Sequence, residues 1–161
     1  MSPYRISELP FGPGMLGIAP MPGRAGGYQR DLTTILQWGA GMVLTMTEAD
    51  ELTFADAETL GRDLSDAGVI WRHLPIADMG APPPEVEAYW PEASATALKV
   101  LAEGGRVLAH CFGGCGRSGM ALLRLMVDGG ENPDHALMRL RTVRPCAVET
   151  EAQRQWASVK W

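Results

Sequence analysis

Apolar positions fall into short runs and helical stripes that alternate along the chain. Residues 14–19 form a compact apolar run closed by the Pro-Met-Pro-Gly turn at 20–23, which reads as a first strand. Residues 31–38 put Leu32, Ile35 and Leu36 on one helical face, and Gly39 and Gly41 stop the pattern. Residues 42–46 are a short, mostly apolar run, the mark of a buried strand. A helix is expected over 56–67, ended by Gly68 just past its last turn. A strand follows over 69–76, rich in branched and aromatic residues.

A proline-rich loop covers 75–84, and residues 85–103 read as a long helix that Pro91 kinks or breaks. Gly104 and Gly105 end it before another strand at 106–109. Leu122, Leu123 and Met126 stripe a helix over 118–127. Asn132 then caps a helix with Pro133 in its first position, running to about 143. A last helix is expected over 150–161. Strands alternating with helices predict an α/β domain with a central, mostly parallel sheet flanked by helices.

Composition narrows the picture only slightly. The 161 residues fit a single domain over 1–161, and 46% hydrophobic with 20% charged residues is enough for one core. The net charge of −5 argues against a nucleic-acid-binding face. A small anion site remains open, because backbone amides and one Arg suffice to build it. Residues 1–20 lack a charged start followed by a continuous apolar stretch, so no secretory signal is expected. No apolar run reaches the ~18 residues of a membrane-spanning helix. Three cysteines do not make a disulfide framework and point to a reducing cytoplasm. No His/Asp cluster has metal-ligand spacing, so neither metal nor cofactor is expected.

The candidate chemistry sits between the strand at 106–109 and the helix at 118–127. His110-Cys111-Phe112-Gly113-Gly114-Cys115-Gly116-Arg117-Ser118 is a glycine-rich loop between a strand and a helix. Glycines let such a loop turn its N–H groups inward, and the helix start adds free amides and the positive end of its dipole. Arg117 supplies a planar fork matched to two phosphate oxygens. Phe112, Gly113, Gly114, Cys115, Gly116 and Arg117 thus form an anion cradle with Cys111 at its mouth. The donors that favour phosphate also favour a thiolate over a thiol. Ser118 is positioned to donate its hydroxyl to that thiolate, and His110 to brace the loop through its backbone. A buried cysteine at a strand end is often only a small hydrophobe, and glycine-rich loops also bind nucleotides. The loop nevertheless lacks both the G-x-x-x-x-G-K-[ST] and the G-x-G-x-x-G patterns.

His-Cys-x5-Arg-Ser resembles the signature of the protein tyrosine phosphatase superfamily. The stretch His73-Leu74-Pro75-Ile76-Ala77-Asp78-Met79-Gly80-Ala81-Pro82 resembles the general-acid loop of dual-specificity phosphatases, the kinase-associated type especially. Ala147-Val148-Glu149-Thr150-Glu151-Ala152-Gln153 is similar to the segment that supplies a water-orienting Gln in some members. The resemblance implies a cysteine-dependent phosphatase fold, a phosphocysteine intermediate and a phosphoprotein or phosphopeptide substrate, with no nucleic acid or membrane as partner. It assigns Cys111 as nucleophile, Arg117 as phosphate ligand, Asp78 as general acid and base, and Gln153 as water-positioning group. Chemistry gives Asp78 an independent reason, since the leaving alkoxide or phenoxide needs a proton. The alternative is a turn residue among Gly and Pro, and the Cys111–Arg117 loop favours the catalytic reading.

Phosphotyrosine, and with it phosphoserine or phosphothreonine, is the expected substrate. A phosphoinositide or other small-molecule phosphatase is the alternative, disfavoured because residues 112–116 carry no positive charge. A non-catalytic phosphoprotein-binding module is the other, disfavoured because Cys111, Arg117 and Asp78 are all present. A rhodanese-like sulfurtransferase also uses a loop cysteine on an α/β domain. His73, His135, Cys146 and the tryptophans Trp38, Trp71, Trp90, Trp156 and Trp161 read as structural.

Overall fold

The computed structural model describes residues 3–159. Five strands are β1 (Ser7–Phe11), β2 (Gly14–Ala19), β3 (Met42–Thr45), β4 (Ile70–His73) and β5 (Arg106–His110). Eight helices are α1 (Tyr28–Trp38), α2 (Ala49–Phe54), α3 (Leu60–Asp66), α4 (Pro84–Glu87), α5 (Trp90–Ala102), α6 (Gly116–Asp128), α7 (Pro133–Val143) and α8 (Glu151–Ala157). The sheet order is β1-β2-β5-β3-β4. Only the β1–β2 pair is antiparallel; β2–β5, β5–β3 and β3–β4 are parallel. This is the α/β architecture with helices on both faces that the alternation of runs and stripes predicts.

The parallel strands are apolar because both of their faces are covered. Val107 and Ala109 of β5 point into one core with Leu16, Ile18, Met42 and Leu44, against α5, α6 and α7. Leu108 points the other way, into a second core with Val43, Ile35, Leu60 and Leu64. Helix α6 follows directly from the loop after β5 and is buried from Gly116 to Val127. Of its two buried cations, Arg124 is kept inside by the Asp128 carboxylate at 3.2 Å and by stacking on the Trp156 ring at 4.4 Å. A loop carried between a buried central strand and a buried helix has a rigid base. It also lies at the carboxyl end of the parallel strands, where open α/β sheets hold their ligands.

Several boundaries differ from the sequence reading. Strand β1 has no sequence counterpart: Pro10 interrupts its pattern, and an edge strand tolerates that loss of a donor. Helix α2 is also new. Its start is a reciprocal capping box between Glu48 and Glu51, and a Glu cap carries little local signal. The helix expected at 56–67 begins only at Leu60, because Asp56 takes a left-handed φ of 54° where the chain turns out of α2. The strand expected to reach residue 76 stops at His73. The long helix at 85–103 divides into α4 and α5, with Pro91 in the first turn of the second. Helix α8 ends at Ala157, and Trp161, named above as a packing residue and helix end, lies outside the described residues.

The expectation of unpaired cysteines is corrected. Cys115 and Cys146 form a disulfide with an S–S distance of 2.06 Å, and Cys111 is a free, buried thiol. A 31-residue separation hides this pairing from any local pattern. Among the described residues, no helix is long and apolar enough to cross a membrane.

Candidate active site

The loop from Cys111 to Arg117 is shaped by where its carbonyls go. The Cys111 oxygen accepts from His110 Nδ1 at 3.2 Å, and the Phe112 oxygen accepts from the Met21 amide at 3.1 Å. Arg144 donates to the Gly114 oxygen at 2.8 Å and to the Gly113 oxygen at 3.0 Å. The Cys115 oxygen accepts from Gly119 N at 2.9 Å and Val148 N at 3.2 Å. All five carbonyls are thus drawn outward. In a trans peptide the next N–H points opposite to the carbonyl, and the described residues contain no cis bond. The amides of residues 112–116 therefore face the concave side, at the N-terminus of α6, whose own first amides lack intrahelical acceptors. The result is an anion-binding nest.

Two glycines of the loop are required by space. Gly114 has φ 75°, and a Cβ there would stand 2.7 Å from the Ala19 carbonyl carbon. A Cβ on Gly116 would stand 2.5 Å from Glu149 Oε1 and 2.9 Å from Gln153 Oε1. Cys115 fixes the outer side through its bond to Cys146. Its side chain is committed to the segment before α8, so only its backbone is left for the cradle.

Cys111 is 3% exposed, and its Sγ lies 3.2 Å from Ser118 Oγ. His110 is buried in a relay. Trp71 Nε1 donates to Thr45 Oγ1 at 2.8 Å, and that hydroxyl lies 2.8 Å from His110 Nε2. The consistent assignment is a neutral imidazole, accepting at Nε2 and donating from Nδ1 to the Cys111 carbonyl. Burial dominates its titration and pushes its pKa down to about 4.

Arg117 is only 1% exposed. Glu51 grips the end of its guanidinium: Nη1 donates to Oε2 and Nη2 to Oε1, both at 2.8 Å. Nη1 also donates to the Ile76 carbonyl at 2.8 Å. Nε is buried with no partner among the described residues. The side edge, made of Nε–H and the second hydrogen of Nη2, is left for two oxygens of an anion. Burial works against the Arg117 charge, yet Glu51, Cys111 and Asp78 more than offset it and raise its pKa. Burial likewise opposes the Glu51 charge, but bonds from Arg117 and the Glu48 amide leave its pKa lowered. The two groups are a fixed ion pair.

Asp78 lies on the proline-rich loop, 74% exposed, with Oδ1 3.4 Å from Arg117 Nη2. Met79 next to it has a left-handed φ of 66°, a conformation that costs a non-glycine residue about 1–3 kcal/mol. The loop is held from α8. Gln153 Nε2 donates to the Gly80 carbonyl at 3.1 Å, and Thr150 Oγ1 donates to the Met79 carbonyl at 3.3 Å. Gln153 is fully buried, and its Oε1 accepts from the amides of Glu149 and Thr150.

The structure thus brings Cys111, Ser118, Arg117 and Asp78 around one nest, with Gln153 behind it bridging the Asp78 loop to the segment that leads into α8. Sequence reasoning missed Glu51, Arg144, Thr45 and Met21. The Glu48-x-x-Glu51 spacing was the one local sign of an ordered turn near the first of these. A cavity of about 380 Å³ beside the nest is lined by Asp50, Glu51, Phe54, Asp78 and Phe112. Among the described residues, no group of three or more His, Cys, Asp or Glu side chains has the arrangement to hold a metal ion.

Residues 17–131 match the family model described as "Polymorphic toxin system, DSP-PTPase phosphatase". Cyclin-dependent kinase inhibitor 3 from Mus musculus is 30% identical over 165 aligned positions, covering 94% of this chain and 76% of that protein. A crystal structure of kinase associated phosphatase, with its catalytic-site cysteine replaced by serine, superposes with a TM-score of 0.83 at 25% identity, covering 98% of this chain and 93% of that one. The structure of Tk-PTP in its active form is 32% identical, with a TM-score of 0.66 and coverage of 87% and 86%. The family match ends before Cys146 and Gln153.

Proposed function

This chain belongs to the DSP-PTPase phosphatase family, and we propose that it hydrolyses phosphate monoesters of phosphotyrosine, and of phosphoserine or phosphothreonine, in proteins through a phosphocysteine intermediate. The observation that carries this reading is the nest itself: five inward amides and the open edge of Arg117 surrounding the Cys111 sulfur.

In the first step the Cys111 thiolate attacks phosphorus, an S–P bond forms, the P–O ester bond breaks, and Asp78 gives its proton to the leaving oxygen. The nest amides and Arg117 hold the three equatorial oxygens. In the second step the Asp78 carboxylate takes a proton from water, the new O–P bond forms, and the S–P bond breaks to release phosphate. The Ser118 hydroxyl, 3.2 Å from the sulfur, stabilises the departing thiolate. Gln153, fully buried behind the nest, fixes the Asp78 loop for this step by donating to the Gly80 carbonyl. No step calls for a metal or a cofactor.

The test is phosphate release from an aryl phosphate and from phosphotyrosyl, phosphoseryl and phosphothreonyl peptides, with and without EDTA, beside a thiosulfate sulfurtransferase assay. Turnover of the aryl and tyrosyl esters that resists EDTA, competes with vanadate and disappears in Cys111→Ser is expected. Sulfur transfer without phosphate release, or full turnover by Cys111→Ser, overturns the reading.

A further inference from the structure

Phe112, the residue after Cys111, stands between two unlike neighbours. On one side the exposed Phe54 ring lies 5.9 Å away at 53°, next to Asp50 and Asp78 in the 380 Å³ cavity. On the other side the Arg24 guanidinium sits 5.1 Å over the Phe112 ring. Arg24 Nη1 is 3.9 Å from the point where a Gly113 side chain would begin. One wall of the mouth is therefore aromatic and acidic, and the other is cationic.

Arg24 is held in this place by the loop itself. Met21 N donates to the Phe112 carbonyl at 3.1 Å, and Arg24 N donates back to the Met21 carbonyl at 3.2 Å. A turn bonded to the phosphate nest and a cation stacked on an aromatic face need little ordering when a ligand arrives. Among the described residues Arg24 pairs with no carboxylate. The nearby Asp31 is already engaged, with Oδ2 accepting from Gly23 N at 2.9 Å and Oδ1 3.4 Å from Arg30 Nε. Beyond Arg24 a second cavity of about 410 Å³ opens, lined in part by Tyr4, Pro20, Arg24, Arg30 and the already bonded Asp31. It has room for a neighbouring side chain of a bound peptide. Arg117 is occupied by Glu51 on one edge and by substrate phosphate on the other, so a second anion meets Arg24 first.

We propose that Arg24, stacked on Phe112, is a specificity-determining residue that selects phosphopeptides carrying an anionic group, a carboxylate or a second phosphate, on one flank of the phosphorylated residue. The proposal rests on the phosphopeptide reading above. A peptide fits better than a lipid surface because the opposite wall carries Asp50 and Phe54 and the chain's net charge is −5, which an anionic membrane repels. The absence of cations within residues 112–116 understates this mouth, since Arg24 arrives from a different segment.

The test uses matched phosphotyrosyl peptides with Asp, phosphoserine, Ala or Lys on either flank, with kcat and KM measured separately at low and moderate salt. Wild type should favour the anionic peptides on one flank only. An exposed charge pair is worth about 5-fold in kcat/KM, carried by KM and shrinking with salt. Arg24→Lys should keep the preference, and Arg24→Glu should reverse it toward Lys. Comparing ratios within each variant cancels any general loss of activity. A gain with both Asp and phosphoserine supports recognition of any anion, and a gain with phosphoserine alone supports a second phosphate. Equal ratios in wild type and Arg24→Glu, with every peptide turned over, overturn the inference and leave the proposed function standing. Faster turnover of a soluble phosphoinositide than of any peptide, dependent on Arg24, overturns the peptide assignment. Failure on the peptides and on an aryl phosphate alike sinks the proposed function itself.

Discussion

Glu51 clamps the end of the Arg117 guanidinium with two 2.8 Å bonds and leaves its Nε edge open toward the nest. The carboxylate offsets the cost of burying the cation and also fixes which edge meets phosphate. Glu51→Gln keeps one bond and loses the charge, and Glu51→Ala loses both. Removing one partner of a buried pair leaves an uncompensated charge, and a misplaced ligand group costs up to about 100-fold in rate. The expected result is weaker vanadate binding in parallel with lower kcat/KM, in the order wild type, Gln, Ala. Unchanged vanadate affinity in Glu51→Ala would assign Glu51 to folding alone.

Asp78 approaches the same guanidinium at 3.4 Å and so competes with phosphate for Arg117 before substrate arrives. Removing it has two opposite effects. Turnover of an alkyl phosphate should fall by about 10²–10⁴-fold, and that of an activated aryl phosphate by less, because a good leaving group needs less proton transfer. Affinity for inorganic phosphate should stay the same or tighten in Asp78→Ala, because a like charge has left the mouth. Equal rate losses for both esters, combined with weaker phosphate binding, would mean that Asp78 orders the loop instead of donating the proton.

His110 gives a pH dependence with a definite sign. Folded, it stays neutral down to about 4; unfolded, it takes up a proton near 6.5. Between those values the unfolded chain holds more protons, so stability rises with pH and is lost as the solution is acidified. The gap is worth about 3 kcal/mol at its full extent. Glu51, whose pKa is lowered, also loses stability in acid, so the comparison is one of slopes. Denaturant unfolding between pH 6.5 and 4 should be less pH-dependent in His110→Asn than in wild type. Identical slopes would place the acid sensitivity elsewhere.

The cradle was legible in the sequence because its parts are contiguous. The strand end, the glycines, Cys111, Arg117 and the helix start lie within one short stretch, and their order encodes the geometry. The groups that aim the cradle were not legible. Glu51 lies 66 positions before Arg117, and Arg144 lies 30 after Gly114. Each is a common surface residue type until the sheet order brings β3, β5 and the segment before α8 together. The same reason hid the disulfide, and with it the fate of Cys115. Helices α5, α6 and α7 were legible because long apolar stripes, the Pro91 break and the Asn132 cap are local signals. Strand β1 and helix α2 are short, and pairing and capping decide them more than periodicity does.

The disulfide changes what oxidation does to the nucleophile. From the sequence, Cys115 or Cys146 is a potential partner for an oxidised Cys111; in the structure they are bonded to each other. The chain has three cysteines, so no free thiol within it is left to condense with a Cys111 sulfenic acid. Such a sulfenic acid proceeds with excess peroxide to sulfinic acid, which dithiothreitol does not reverse. The disulfide form should therefore lose activity irreversibly on prolonged peroxide treatment, and peptide mapping should find Cys111 as sulfinic or sulfonic acid with the Cys115–Cys146 bond intact. Treatment with dithiothreitol before peroxide frees both thiols and provides the comparison. A Cys111–Cys115 or Cys111–Cys146 bond formed from the disulfide form, with activity recovered on reduction, would mean that the bridge exchanges with the nucleophile and does not merely fasten the loop.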